Sequence, residues 1–199
     1  MTASDAPTVL VVDDEPDVAD AYAVQLRERY TVHTAYSGQK ALETIGDEID
    51  VVLLDRRMPG ESGDDVLDQF REGGIDARIA MVTAVDPDFD IIQMPFDDYL
   101  TKPVSREDLF QTVERLLTCA KYEEQFQEFY SLTSKIATLR ANKSEAELEN
   151  SEEFADLHDE REHIRQQLDE TIAEFDDEGF AAMFREMNPR PSALDELGE

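Results

Sequence analysis

This 199-residue chain predicts a doubly wound α/β domain with a five-stranded parallel sheet, followed by a C-terminal α-helical hairpin. Three observations predict it. Short apolar runs rich in β-branched residues alternate with amphipathic stretches from Thr8 to about Cys119. The runs are continuous, which marks strands buried on both faces. Beyond Ala120, Gly is absent until Gly179 and Pro until Pro189, and apolar residues recur at heptad-like spacing.

The first strand is Val9-Leu10-Val11-Val12, which leads straight into Asp13-Asp14-Glu15. Val18, Tyr22 and Leu26 recur every four residues and mark the first helix. Thr31–Ala35 reads as the second strand, and Ser37 is placed to cap a helix carrying Ala41, Leu42 and Ile45. Val51–Leu54 is the third strand, and Val66, Leu67 and Phe70 mark the third helix. Ile79–Val82 is the fourth strand. The fourth helix should follow in Asp86–Asp97, but Pro87 and Pro95 leave only Asp88–Met94 between them. That is about two turns at most, so a short or poorly ordered helix is expected. Asp98–Leu100 is the fifth strand, and Leu109, Val113, Leu116 and Leu117 mark the last helix. Strands alternating with helices in this order give a flavodoxin-like sheet covered on both faces.

The last helix is expected to run on without a linker to about Arg140. Tyr122, Phe126, Phe129, Thr133, Ile136 and Arg140 step at 4-3-4-3-4, a flawed heptad seam. Polar residues Asn142–Ser151 should form a turn, with Ser144 or Ser151 as the next cap and Glu147 completing a capping box with Ser144. Phe154, Leu157, Arg161, Ile164, Leu168 and Phe175 then resume the seam, as in an antiparallel hairpin. Phe180, Met183, Phe184 and Met187 form a short apolar stripe that either packs back on the hairpin or docks elsewhere. The domains read as 1–120 for the α/β unit, 121–190 for the acidic hairpin and 191–199 for a disordered tail.

The chain carries 48 acids against 18 bases, a net charge of -30. Such a surface repels phosphate backbones and anionic membranes. It suits high salt, which screens self-repulsion, so a halophile's cytoplasm is the expected setting. A lone Cys119 excludes an internal disulfide. There is no basic n-region at the start and no apolar stretch near the length of a membrane span, so a soluble, cytoplasmic protein is expected.

The candidate chemistry sits at strand ends. Asp13 and Asp14 follow the first strand, Asp55 the third, Thr83 the fourth and Lys102 the fifth. Parallel strands bring these ends to one edge, where α/β sheets bind ligands. Clustered carboxylates repel one another by about 4 kcal/mol per pair at 4 Å and an effective dielectric of 20. A bound cation explains such a cluster best, and all-oxygen ligands suit Mg²⁺. With a hydroxyl and an ammonium beside them, the group can receive a phosphoryl group, a carboxylate acting as nucleophile. His33, His158 and His163 show no metal-ligand spacing.

Over about residues 7–120, these motifs together resemble the response regulator receiver family. They are Asp13-Asp14 after a buried strand, Asp55 in Leu54-Asp55-Arg56-Arg57-Met58-Pro59 with Gly63, Thr83-Ala84, and Tyr99-Leu100-Thr101-Lys102-Pro103. The resemblance implies that Asp55 accepts a phosphoryl group from a sensor histidine kinase. It implies that Asp14 and Asp55 ligate Mg²⁺ with the backbone carbonyl of Arg57, and that Asp13 acts through water. Lys102 would pair with the phosphoryl oxygens, Thr83 would move to hydrogen-bond them, and Tyr99 would turn inward in step. The span from Thr83 to Lys102 is a few residues shorter than the family usually has.

Residues 121–199 hold 8 bases and 22 acids, with no helix-turn-helix pattern or basic stripe. In architecture and acidity they resemble the HalX-type helical segment that follows receivers in haloarchaea. Three functional classes stand against each other. The first is a switch whose hairpin contacts an unknown downstream protein or a second copy of itself as a homodimer. The second is a DNA-binding transcriptional regulator, which clustering of Lys135, Arg140, Lys143, Arg161 and Arg165 would favour. The third is an Asp- and Mg²⁺-dependent hydrolase of the haloacid-dehalogenase type. That class needs a second acid two residues after Asp55, where this chain has Arg57, so catalysis is expected only on its own phosphorylation.

Overall fold

Val9 to Val12 in β1 (Thr8–Val12) and all of β3 (Val51–Leu54) are buried, because both faces of the sheet are covered. The computed structural model describes residues 6–85, 87 and 89–173; Phe175, the Phe180–Met187 stripe and the 191–199 tail lie outside them. The chain divides into two compact units, Met1–Leu117 and Thr118–Glu199.

In the first unit β2 (Thr31–Ala35), β4 (Arg78–Thr83) and β5 (Asp98–Thr101) complete a parallel sheet of order β2-β1-β3-β4-β5. Side chains alternate across it. Leu10, Val12, Val52, Leu54, Ile79 and Met81 face Ala41 of α2 (Gly38–Thr44) and Val66, Leu67 and Phe70 of α3 (Gly63–Glu72). Val9, Val11, Val51, Leu53, Ala80 and Val82 face Ala19 and Leu26 of α1 (Pro16–Leu26) and Leu109, Val113 and Leu116 of α4 (Arg106–Asn142). The expected five-stranded, doubly wound α/β fold is therefore the observed one.

Local chemistry starts the helices. The Ser37 hydroxyl accepts from the Lys40 N–H at 3.2 Å. Ser62 and Asp65 form a reciprocal capping box at the start of α3. Pro16 opens α1, where its missing N–H costs nothing.

The segment after β4 holds one five-residue 3₁₀ turn, Phe89–Gln93, where a fourth helix would stand. The prolines on either side set that length. The chain is held down instead by Arg71, at the end of α3. Its guanidinium donates to the carbonyls of Pro95, Ile75 and Ala77 at 3.0, 3.0 and 2.9 Å. It also pairs with Asp97 at 2.7 Å, and Asp97 in turn meets Arg78 and the Ile79 N–H at 2.9 and 2.8 Å.

In the second unit α4 runs on to Asn142, as expected, and the turn beyond it contains a short helix, α5 (Glu145–Glu149), where only a turn is expected. Glu147 accepts from the Ser144 N–H and hydroxyl at 3.0 and 2.8 Å, which holds its carboxyl down at about 2. The Ser151 hydroxyl accepts from the Phe154 N–H at 3.1 Å and so caps α6 (Glu152–Ala173). Both candidate serines thus cap, one helix each.

The seam differs at three positions of α4, and Arg140, the last of them, is exposed. Tyr122, Leu132, Ile164 and Leu168 form its core, with Phe129 and Leu157 packed against it. Gln125 takes the place expected for Phe126, and its side-chain oxygen accepts from the buried Thr171 hydroxyl at 2.8 Å. Leu132 takes the core place expected for Thr133, which is only partly buried beside it. The 3-4-3-4 spacing that results turns Phe126 and Tyr130 outward, 37% and 64% exposed.

Replacing Arg71 by Ala should cost about 1–3 kcal/mol, since it strips bonds from three carbonyls and leaves Asp97 with one cation fewer. Urea unfolding measures this. A loss below about 0.5 kcal/mol, the scale of a neutral surface change, would show that Arg71 is no anchor.

Candidate functional site

The backbone ladders run one residue past the strands and fix the site residues. The Asp13 N–H donates to the Ala35 carbonyl at 3.1 Å, Asp55 to Val12 at 2.8 Å and Lys102 to Thr83 at 2.8 Å. Asp13, Asp55, Thr83 and Lys102 therefore meet at one sheet edge. Asp13, Asp55 and Thr83 are 2%, 7% and 1% exposed.

Lys102 Nζ stands between two carboxylates, 2.7 Å from Asp13 Oδ2 and 3.1 Å from Asp55 Oδ2. Burial alone would lower the ammonium's pKa. The bonds and charges of Asp13 and Asp55 outweigh it and hold the pKa above the usual lysine value. Asp55 shifts upward: desolvation outweighs the help of Lys102, and the Asp13 charge adds to the rise. Its other oxygen, Oδ1, accepts from the Arg57 N–H at 3.3 Å.

Asp13, Asp14 and Asp55 each present a carboxylate oxygen within 4.8 Å of the others. Three carboxylates beside one ammonium leave two negative charges in a pocket largely shut from water. That donor set fits a hard divalent cation bound through oxygen.

The loop after Asp55 is tightly seated. A Cβ on Gly63 would stand 2.2 Å from the Asp55 carbonyl oxygen, so this position demands glycine. Arg56 is tucked in and binds Asp64 at 3.0 Å. Arg57 is exposed. Glu15 is also exposed, and its N–H donates to Asp13 Oδ1 at 3.0 Å.

Thr83 and Tyr99 meet through one residue. The Thr83 hydroxyl accepts from the Val85 N–H at 3.3 Å, and the Tyr99 hydroxyl donates to the Val85 carbonyl at 2.8 Å. The Tyr99 ring lies 5.6 Å from that of Phe96 and packs on the core. His158 lies in the hairpin beside Arg140 and Phe154, away from any acid cluster.

The raised pKa of Asp55 sets a sign. Its contribution to stability is present in full below the unfolded value near 3.8 and is lost as pH rises through the folded value. Without divalent cations, Asp55→Asn should therefore melt higher than the parent near pH 7, and the gain should fade toward about pH 4. A variant that melts lower at neutral pH would contradict this reading of the pocket.

The model of the response regulator receiver domain matches residues 9–114, and that of the HalX domain matches residues 118–184. A Haloferax volcanii protein named "Putative transcriptional regulator" is 48% identical over 165 residues, covering 82% of this chain and 28% of its own length. The transcriptional regulatory protein CutR of Streptomyces coelicolor is 42% identical over 113 residues, 54% of this chain and 52% of CutR. The chain thus spans about a quarter of the first relative and about half of the second. A receiver domain from Francisella is 30% identical with a TM-score of 0.51, covering 56% of this chain and 96% of that one. The chain belongs to the response regulator receiver family and carries a HalX domain after its receiver.

Proposed function

We propose that the chain is a two-component switch in which Asp55 accepts a phosphoryl group from a sensor histidine kinase. The observation that carries this reading is Lys102 Nζ, held within 3.1 Å of Asp55 Oδ2 at a buried edge with Asp13 and Thr83 beside it. An Asp55 oxygen bonds to phosphorus as the phosphorus–nitrogen bond of the kinase's phosphohistidine breaks. Lys102 then exchanges a carboxylate for a phosphoryl oxygen, and Thr83 can turn its hydroxyl from Val85 to another. Catalysis by this chain is confined to making and hydrolysing that bond.

Asp14 and Asp55 would hold Mg²⁺ with the Arg57 carbonyl, and Asp13 would support it through water. The bound ion supplies positive charge that offsets the phosphoryl oxygens. Phosphorylation adds about -1.5 to -2 charges and three acceptor oxygens, which favour whichever state offers Thr83 and Lys102 as donors.

Output is assigned to the C-terminal helices through contact with a downstream protein. The names of the relatives point to transcription. The basic side chains of the hairpin, however, are interspersed with acids. Lys143 pairs with Glu147 at 3.3 Å and Arg165 with Glu162 at 2.8 Å. The hollow beside Arg140 and Lys143 is also lined by Glu145 and Glu149. That pattern favours a protein partner over DNA. Among the described residues no helix is long and apolar enough to cross a membrane.

With Mg²⁺ and acetyl phosphate the parent protein should gain one phosphoryl group by intact mass, and Asp55→Asn none. Equal modification of both would end the assignment. Mg²⁺ at a hundred times its dissociation constant should stabilise the parent by about 2.7 kcal/mol. Asp14→Asn should lose most of that gain, and a variant responding as fully as the parent would remove Asp14 from the metal site.

A further inference from the structure

We propose that Arg140, His158 and Arg161 of the helical unit form a receiving site for one carboxylate, supplied by an acidic side chain of the protein this unit contacts. Arg140 stands on α4, and His158 and Arg161 stand three residues apart on one face of α6. Arg140 Nη2 lies 3.4 Å from His158 Nε2. A guanidinium only donates, so Nε2 must accept, and the imidazole is neutral with its proton on Nδ1. Among the described residues neither arginine meets a carboxylate, whereas Lys143 and Arg165 are paired with Glu147 and Glu162. Arg161 Nε is buried and has no hydrogen-bond partner. Two guanidiniums thus stand uncompensated in a chain that has 48 acids and only 18 bases.

The surroundings select a carboxylate over a phosphate. Arg140 also faces an open hollow of about 540 Å³, whose walls include Glu145 and Glu149. Those acids repel a doubly charged phosphate more strongly than a singly charged carboxylate. A guanidinium can hold a carboxylate through two parallel N–H bonds. Leu148 and Phe154 give the aliphatic stem of an acidic residue an apolar wall. The Phe154 ring stands edge-on to that of His158 at 4.9 Å, so the hollow and the imidazole adjoin. Burial, then the charges of Arg161 and Arg140, hold His158 below the usual histidine pKa, and the Asp159 charge acts the other way. A bound carboxylate reverses that balance. His158 can then take up a proton at Nε2 and donate it to the anion. Binding and protonation are linked, and affinity must rise as pH falls through the titration of His158.

The source of the carboxylate rests on the output reading above, while the site itself depends on neither that reading nor Asp55. NMR of the His158 imidazole in the full chain tests both. N-acetylglutamate amide should shift its signals saturably and raise its pKa, and the uncharged glutamine counterpart should do neither. Arg140→Gln, at an exposed position, should weaken binding about tenfold or more, the scale of one hydrogen bond to a charged group. Arg161→Gln should raise the His158 pKa in the free protein and weaken binding as well. A silent glutamate probe, or equal binding by Arg140→Gln and the parent, would overturn the site and leave the output reading untouched. A short DNA duplex that shifts His158 at lower concentration than the glutamate probe, and loses this in Arg140→Gln, would overturn the carboxylate assignment and the protein-contact reading together.

Discussion

The first unit is arranged around one ammonium shared by two buried carboxylates. Lys102 Nζ lies 2.7 Å from Asp13 and 3.1 Å from Asp55, and none of the three groups could stay charged there alone. The sheet supplies the constraint. Asp13, Asp55 and Lys102 are each one residue beyond the regular end of a strand, and each is tied by its own N–H to the neighbouring strand. A slip of one residue in any strand would send a site side chain to the opposite face. The apolar cores on both sides of β1, β3 and β4 therefore do more than stabilise the fold, because they set the register that places the charges.

The pairing is incomplete, and that gives the site its chemistry. One cation faces three carboxylates, and burial still pushes Asp55 upward. Such a pocket favours whatever brings positive charge to Asp13 and Asp14 and whatever draws Lys102 away from Asp55. On the proposed function, a divalent cation would do the first and a phosphoryl group the second. The Val85 backbone joins this chemistry to the surface. Its N–H is engaged by Thr83 and its carbonyl by Tyr99, so a hydroxyl leaving Val85 for a phosphoryl oxygen alters the residue on which Tyr99 rests. The segment beyond Val85 carries only a 3₁₀ turn and is anchored at its far end by Arg71 and Asp97.

Most of this was legible in the sequence, for a physical reason. Strands buried on both faces appear as unbroken apolar runs, so their last residues can be read to within a position, and Asp13, Asp55, Thr83 and Lys102 follow them directly. Pro87 and Pro95 revealed the short fourth element because the ring acts locally. The features that escaped depend on tertiary geometry. Arg71 binds three carbonyls, and carbonyls carry no residue label. Arg56 meets Asp64, eight residues on, only once the loop after Asp55 has folded. In the hairpin Phe126 competes with Gln125 and Thr133 with Leu132 for one position each, and a seam phased on the Phe126 ring carries Thr133 with it. The pairing of Gln125 with Thr171 across the helices decided for the other register.

The charge of the chain bears on how the second unit can act. At net -30 the long-range field repels nucleic acid, yet in salt near 1 M the screening length falls to about 3 Å. Under such conditions the sign of the whole chain matters less than what stands within one side chain of the surface. There two of the cations are met locally by acids, Lys143 by Glu147 and Arg165 by Glu162. Paired ions have little left to offer a phosphate, while apolar contact gains from salts that strengthen burial. A protein partner of the kind proposed would therefore find its contact area in exposed apolar groups such as Tyr130 rather than in the paired ions.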